Sequence, residues 1–231
     1  MSIIINVLTL FPAIFYNFLS ESIPAIAQSK GEMQLNLIDI RDFSNDKNRQ
    51  VDDYPYGGGP GMVIKPEPIA EALKFINNKT QQEQQDQIVY FTPQGRLLNQ
   101  NIIKEYSHNS EITLICGHYK EIDQRIRDRY VTDEISIGDY VLSGGELPAM
   151  IFIDAISRLL DGVLSDSDSA KTDSHENSLL GCPHYTRPYE FENMTVPEVL
   201  ISGNHKNINK WRNKKAIELT KKIRPDILEK K

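Results

Sequence analysis

The residues best suited to chemistry lie in Ile137–Met150, IGDYVLSGGELPAM, where Gly144 and Gly145 lead into an apolar helical pattern with Glu146 at its first turn. Paired glycines let a flat ligand or another backbone approach to van der Waals distance, and a helix start presents N–H groups that have no acceptor within the helix. The same residues also serve as an ordinary turn, so on their own they leave ligand cradle and plain connection both open. A second run, YGGGPGM (Tyr56–Met62), invites a phosphate-loop reading. No Gly-Lys-Ser/Thr follows at the required spacing and no Gly-x-Gly-x-x-Gly runs through it, which disfavours a nucleoside triphosphatase and leaves a bare-backbone surface suited to a flat base or ligand. Cys116 with His118 and Cys182 with His184 form two Cys-x-His pairs. Structural zinc uses wider spacings, so the plainer reading is a buried cysteine and a loop histidine, with no metal site. Asp154 and Arg158, four apart on a helix, read by spacing as an exposed ion pair, and Asp173 reads as a solvated loop acid.

These residues need a scaffold, and the chain supplies alternating elements. Ile3–Leu8 is an apolar β-branched run that reads as a strand; Pro12 suits a helix's first turn, with Ile14, Phe15, Phe18 and Leu19 on one face. Met33–Ile40 alternates as a strand, and Arg41–Gly61 is a polar, glycine-rich excursion too long for a simple connector. The pattern then predicts helix over Pro66–Ile76, a polar surface insertion over Asn77–Gln87, strand over Ile88–Phe91 and helix over Asn99–Tyr106. Strand over Glu111–Cys116, helix over Glu121–Tyr130 and strand over Glu134–Ile137 follow. Such alternation implies an α/β fold, a parallel sheet with helices on both faces. Asp161–Asn177 is small, polar and acidic, and Asn207–Ile223 is a basic amphipathic helix carrying Trp211. The expected division is a domain over 1–164, a flexible linker over 165–177 and a small helical domain over 178–231.

Composition bounds the class. A chain of 231 residues with 39% hydrophobic content can bury a sizeable core. Met1–Leu19 lacks a basic n-region and a small-residue cleavage site, so neither a signal peptide nor a membrane span is expected, and two cysteines fit a reducing cytoplasm. The net charge of −6 argues against a generally basic nucleic-acid binder. Residues 206–231 nevertheless hold ten Lys and Arg against three Asp and Glu, about +7, leaving about −13 for the rest. A local patch of that kind steers a polyanion whatever the total, the plainer alternative being a solvated helix face with a basic tail.

Taken together, VDDYPYGGGPGM (Val51–Met62), TPQGR (Thr92–Arg96), CGHYKEIDQR (Cys116–Arg125), SIGDYVLSGGELPAM (Ser136–Met150), the Arg158 helix, GCPHYTRP (Gly181–Pro188), SGNH (Ser202–His205) and KWR (Lys210–Arg212) resemble the TrmD family of bacterial tRNA (guanine-N1)-methyltransferases, in the SPOUT superfamily. The resemblance runs in order along nearly the whole chain. It implies S-adenosylmethionine-dependent methylation of N1 of guanosine 37 in tRNA, a homodimer with active sites between subunits, and a deep trefoil knot in the α/β domain. It further implies a cofactor site at Thr92, Pro93, Gly117, Ile137, Gly138, Asp139, Tyr140, Val141, Leu142, Gly144, Gly145 and Pro148. By the same resemblance Asp173 is the general base for the guanine N1 proton, Arg158 stabilises charge developing on O6, and Lys206, Lys210 and Arg212 grip tRNA phosphates. The sequence departs from the family at Lys120, where an acid is usual, at Gly181, where Asp is common, and at Tyr54, where Arg is common. These departures leave magnesium assistance open, and the alternative they motivate is a catalytically weakened cofactor- and tRNA-binding protein of the same fold.

Overall fold

Five apolar runs become the five strands of one parallel sheet. They are β1 (Ile3–Thr9), β2 (Met33–Asp39), β5 (Gln87–Leu97), β6 (Glu111–Ile115) and β8 (Asp133–Ser136), in the spatial order β2-β1-β6-β5-β8. The computed structural model describes residues 2–80, 87–164, 173–176 and 178–229, so most of the linker expected at 165–177 lies outside the described residues. Alternate side chains along each strand point to opposite faces. Ile3, Ile5, Val7, Val89, Phe91, Ile112 and Leu114 therefore enter one core, with α1 (Phe15–Ser20), α2 (Ser22–Ser29), α4 (Gln100–Ser107) and α6 (Glu146–Ser157). Leu8, Ile88, Tyr90 and Ile115 enter a second core with α3 (Pro66–Thr80) and α5 (Gln124–Tyr130). The sheet is thus flanked by helices, as the alternation of elements predicts. No helix among the described residues is long and apolar enough to cross a membrane.

Local chemistry accounts for the departures from the expected elements. Pro12–Ile14 forms a 3-10 turn ahead of α1, and at three residues per turn Ile14 is 49% exposed while Phe15 is buried. Helix α3 runs on through Thr80, past the expected start of the polar insertion, whose residues 81–86 lie outside those described. Strand β5 is longer than the apolar run that announces it. Its register against β8 jumps between Phe91 and Arg96, so Thr92–Gly95 bulge from the ladder; Pro93, with no N–H to donate, suits that position. The helix expected from Glu121 starts at Gln124. Glu121–Ile122 instead forms β7, pairing parallel with β4 (Val63–Ile64), which pairs antiparallel with β3 (Asp52–Asp53). The Asp123 carboxylate then caps α5 by accepting from the Arg125 N–H. The strand expected over Glu134–Ile137 runs from Asp133 to Ser136, Ile137–Tyr140 is a series of bends, and α6 begins at Glu146 as the sequence pattern indicates.

Two compact units divide the chain, Met1–Ser165 and Asp166–Lys231. In the second, β9 (Glu190–Phe191) and β10 (Met194–Thr195) form a small hairpin before α7 (Glu198–Ile201) and the long α8 (His205–Ile223). The Leu180 N–H donates to the buried Thr220 hydroxyl at 2.9 Å, and the Tyr185 ring stands 6.3 Å from that of Trp211, fastening the segment before the hairpin to α8.

Candidate functional site

In parallel α/β sheets, ligands bind beyond the carboxyl ends of the strands. Here that edge carries a cleft of about 540 Å³, counted out to open solvent, at the ends of β5, β6 and β8. Three segments wall it: the β5 bulge with Thr92 and Pro93, the loop from Gly117 to Glu121, and the bends and helix start from Ile137 to Pro148.

The second and third walls are tied together by backbone. Gly145 donates its N–H to the Gly117 carbonyl at 2.9 Å, and Gly144 forms an antiparallel bridge with His118. A methyl group added at Gly145 would stand 2.7 Å from the Cys116 Cα and 3.1 Å from the Gly117 nitrogen, so only glycine permits this approach without moving backbone. At Gly144 it would meet a Glu146 carboxylate oxygen at 2.4 Å. Glu146 is itself buried and accepts from the Thr9 hydroxyl at 2.8 Å, which moors the start of α6 to the end of β1. Cys116 is buried just before Gly117; its burial, with the Glu146 carboxylate adding to it, holds the thiol well above its ordinary range, and both cysteines are free thiols.

An ion network buttresses the cleft. Arg127, whose side chain is 9% exposed, donates to Glu121 at 2.7 Å, to Glu134 at 2.7 Å and to the Gln94 side-chain carbonyl at 2.9 Å. These bonds, that to Glu134 foremost, hold the guanidinium firmly protonated. Its cationic plane also lies 5.5 Å from the centre of the Tyr90 ring, and burial together with the Glu121 charge raises the Tyr90 phenol above its usual range.

Thr92, Pro93, Gly117, Ile137, Gly138, Tyr140, Leu142, Gly144, Gly145 and Pro148 all line this one cleft. Asp139 and Val141 do not line it; Val141 is 87% exposed. Tyr90, His118, Tyr119, Lys120, Glu121 and Ser143 line it too and were not singled out by sequence as site residues. Proximity to Gly117 was the available signal for His118 through Glu121, and the place between Leu142 and Gly144 for Ser143, whereas Tyr90 carried none. Among the described residues no three His, Cys, Asp or Glu side chains are grouped to hold a metal. Arg158 follows the last turn of α6 and is half-buried, and its backbone N–H donates to the Asp154 carbonyl at 3.2 Å. Asp173 belongs to the second unit and is exposed, and close by the Gly181 N–H donates to the Ser174 hydroxyl at 2.9 Å. Lys206, Lys210 and Arg212 are all exposed on α8. Lys206 and Lys210 share a row with Lys214 at four-residue spacing, while Arg212 projects from a different face.

Residues 3–230 match the family described as tRNA (Guanine-1)-methyltransferase TrmD. A protein of Clostridioides difficile (strain 630) named tRNA (guanine-N(1)-)-methyltransferase is 51% identical over 225 residues, covering 97% of each chain. Proteins of the same name from Dehalococcoides mccartyi, 50% identical over 98% of this chain and 90% of their own, and from Staphylococcus haemolyticus, 51% identical over 97% and 90%, are similar to it over the same extent.

Proposed function

The chain belongs to the tRNA (guanine-1)-methyltransferase TrmD family, and from that premise we propose that it methylates N1 of guanosine 37 in tRNA with S-adenosylmethionine as donor. It is a methyltransferase acting on tRNA. The observation that carries the site assignment is the convergence of three separate sequence segments on one cleft, two of its walls meeting where Gly145 packs directly on the Cys116 backbone. That cradle fits the donor. The apolar side chains of Leu142 and Pro148 suit an adenine ring, and the polar backbone of the loops that line the cleft suits a ribose and its hydroxyls.

S-adenosylmethionine supplies an electrophilic sulfonium methyl group when bound. Guanine N1 carries a proton at neutral pH, so its lone pair becomes available only as that proton leaves and charge builds on O6. Asp173 is assigned the proton and Arg158 the oxygen, whose developing charge a planar guanidinium fork suits. An ordinary aspartate is a weak base for this proton, so placement against the bound guanine supplies much of the effect. Lys206 and Lys210 are the phosphate-gripping pair, supported by their shared exposed row; Arg212 acts from its own face.

The reading includes a trefoil knot through the 137–145 segment, supported by the way Gly145 and Gly144 are tied to the end of β6. It includes a homodimer, supported by α6, which exposes Leu147 and Ile151 four residues apart beside the cleft. A small tRNA-binding domain over 178–231 and a cytoplasmic location complete it. Methyl transfer from labelled donor to tRNA transcripts, with and without guanosine at position 37, tests the whole.

A further inference from the structure

Magnesium is the one component suggested by the family resemblance that the residues present do not fit. A magnesium ion is held by oxygen ligands, carboxylates foremost. Glu121, which lines the cleft, is held by Arg127 at 2.7 Å and by the Gln94 amide at 3.2 Å, and Glu146 behind it is buried and bonded to Thr9. The same cleft is lined by a cation, Lys120. A divalent ion there would meet an ammonium rather than a ligand.

Lys120 is placed with some care. Its N–H donates to the Met62 carbonyl at 3.0 Å, fixing it where β7 meets the glycine-rich loop. Its aliphatic stem lies over Gly61, where a Cβ would come within 3.0 Å of Lys120 Cγ and 3.3 Å of Cδ, and its Nζ reaches 3.9 Å from the Cβ position of Gly59. A side chain on Gly61 would crowd it. Glu121, the adjacent acid, is engaged elsewhere, and no ion pair joins Lys120 to a carboxylate among the described residues. The ammonium is therefore exposed, anchored by its stem and available to an incoming anion.

We infer that Lys120 supplies, as a fixed ammonium, the positive charge at the cleft mouth, pairing with an oxyanion of the bound substrates so that methyl transfer by this chain needs no divalent cation. The inference rests on the methyltransferase reading above. The oxyanion is either a phosphate of the tRNA backbone or the carboxylate of the donor, and the two sources separate experimentally.

The test compares wild type, Lys120→Gln and Lys120→Arg. Donor affinity is measured by calorimetry without tRNA, tRNA affinity by binding across a salt series, and initial rate with magnesium chelated or in excess. The tRNA is folded beforehand, and spermidine holds ionic strength constant. The wild-type rate is expected to be the same in both buffers to within about twofold. If the partner is a phosphate, Lys120→Gln lowers the slope of log affinity against log salt by about one. If it is the donor carboxylate, the same substitution weakens donor binding about tenfold and leaves the slope alone. Lys120→Arg restores most of either loss. A wild-type rate that collapses on chelation and returns with magnesium overturns the inference, as does a Lys120→Gln protein with both the salt slope and donor affinity of wild type. Wild type that binds donor and tRNA yet transfers no methyl group in either buffer contradicts the proposed function instead, and the two binding measurements still decide whether Lys120 pairs with an oxyanion.

Discussion

The backbone of Gly145 donates to that of Gly117 at 2.9 Å, joining the loop after β6 to the turn that starts α6. With the bridge between Gly144 and His118, this bond makes two walls of the cleft one structure. Because Gly145 also lies against the Cys116 backbone, the space is available only to a residue without a side chain.

Gly145→Ala is therefore expected to displace one wall from the other. A Cβ 2.7 Å from the Cys116 Cα forces backbone to move rather than a side chain to turn. Donor affinity measured by calorimetry should fall by at least about tenfold, or 1.4 kcal/mol, with the circular dichroism of the folded protein retained. Unchanged affinity would remove this cleft from consideration as the donor site.

Arg127→Met should destabilise the fold more than a surface substitution does. It leaves Glu121 and Glu134, both partly buried, without the guanidinium they share. A loss of about 1–3 kcal/mol is expected by urea denaturation, and Arg127→Lys should recover only part of it because an ammonium cannot span both carboxylates in one plane. A loss within about 0.5 kcal/mol would mean that the network is ornamental.

How much of this was legible in the sequence differs between fold and site. The main-sheet strands declare themselves through β-branched runs, and burial on both faces explains their nearly continuous apolar character. β7 was missed because two residues, Glu121 and Ile122, carry no periodicity and adjoin a real helix. β5 was cut short because Pro93 reads as a strand breaker, though in the folded chain it sits in a bulge where no N–H is needed. The glycine pair was visible as a turn, but its partner Gly117 lies 28 residues earlier and only the fold brings them together. The Arg127 network was illegible for the same reason: its acceptors come from β5, β7 and β8.

Alkaline pH should weaken the fold before acid does anything comparable at these groups. Burial raises Cys116, and also Tyr90 and Tyr106, the last two with help from Glu121 and Asp133 respectively. For a group whose pKa is raised on folding, the stabilisation is complete below its unfolded value and is lost as pH climbs above it. Unfolded thiols ionise near about 8.5 and phenols near about 10. Unfolding free energy should thus hold steady to about pH 8 and decline above it, and Cys116→Ala should remove the earliest part of that slope. Stability that rises through the same window would contradict the burial of these groups.

Asp173→Asn and Arg158→Gln separate binding from chemistry. Each should leave donor affinity at the wild-type value in the absence of tRNA. Single-turnover rates should fall by roughly 10²–10⁴-fold for Asp173→Asn and roughly 10²–10³-fold for Arg158→Gln. Arg158→Lys should recover little, since an ammonium lacks the planar fork. Wild-type rates in either variant would withdraw the assigned role.

The most direct measurement is methyl transfer from labelled S-adenosylmethionine to two tRNA transcripts that differ only in carrying guanosine or adenosine at position 37. Label entering the guanosine transcript alone, recovered as 1-methylguanosine on digestion, is the predicted result. Label in both transcripts, or in neither from protein that demonstrably binds the donor, would contradict the assignment, and the second of these outcomes would return the chain to the reading of a binding protein on a methyltransferase fold.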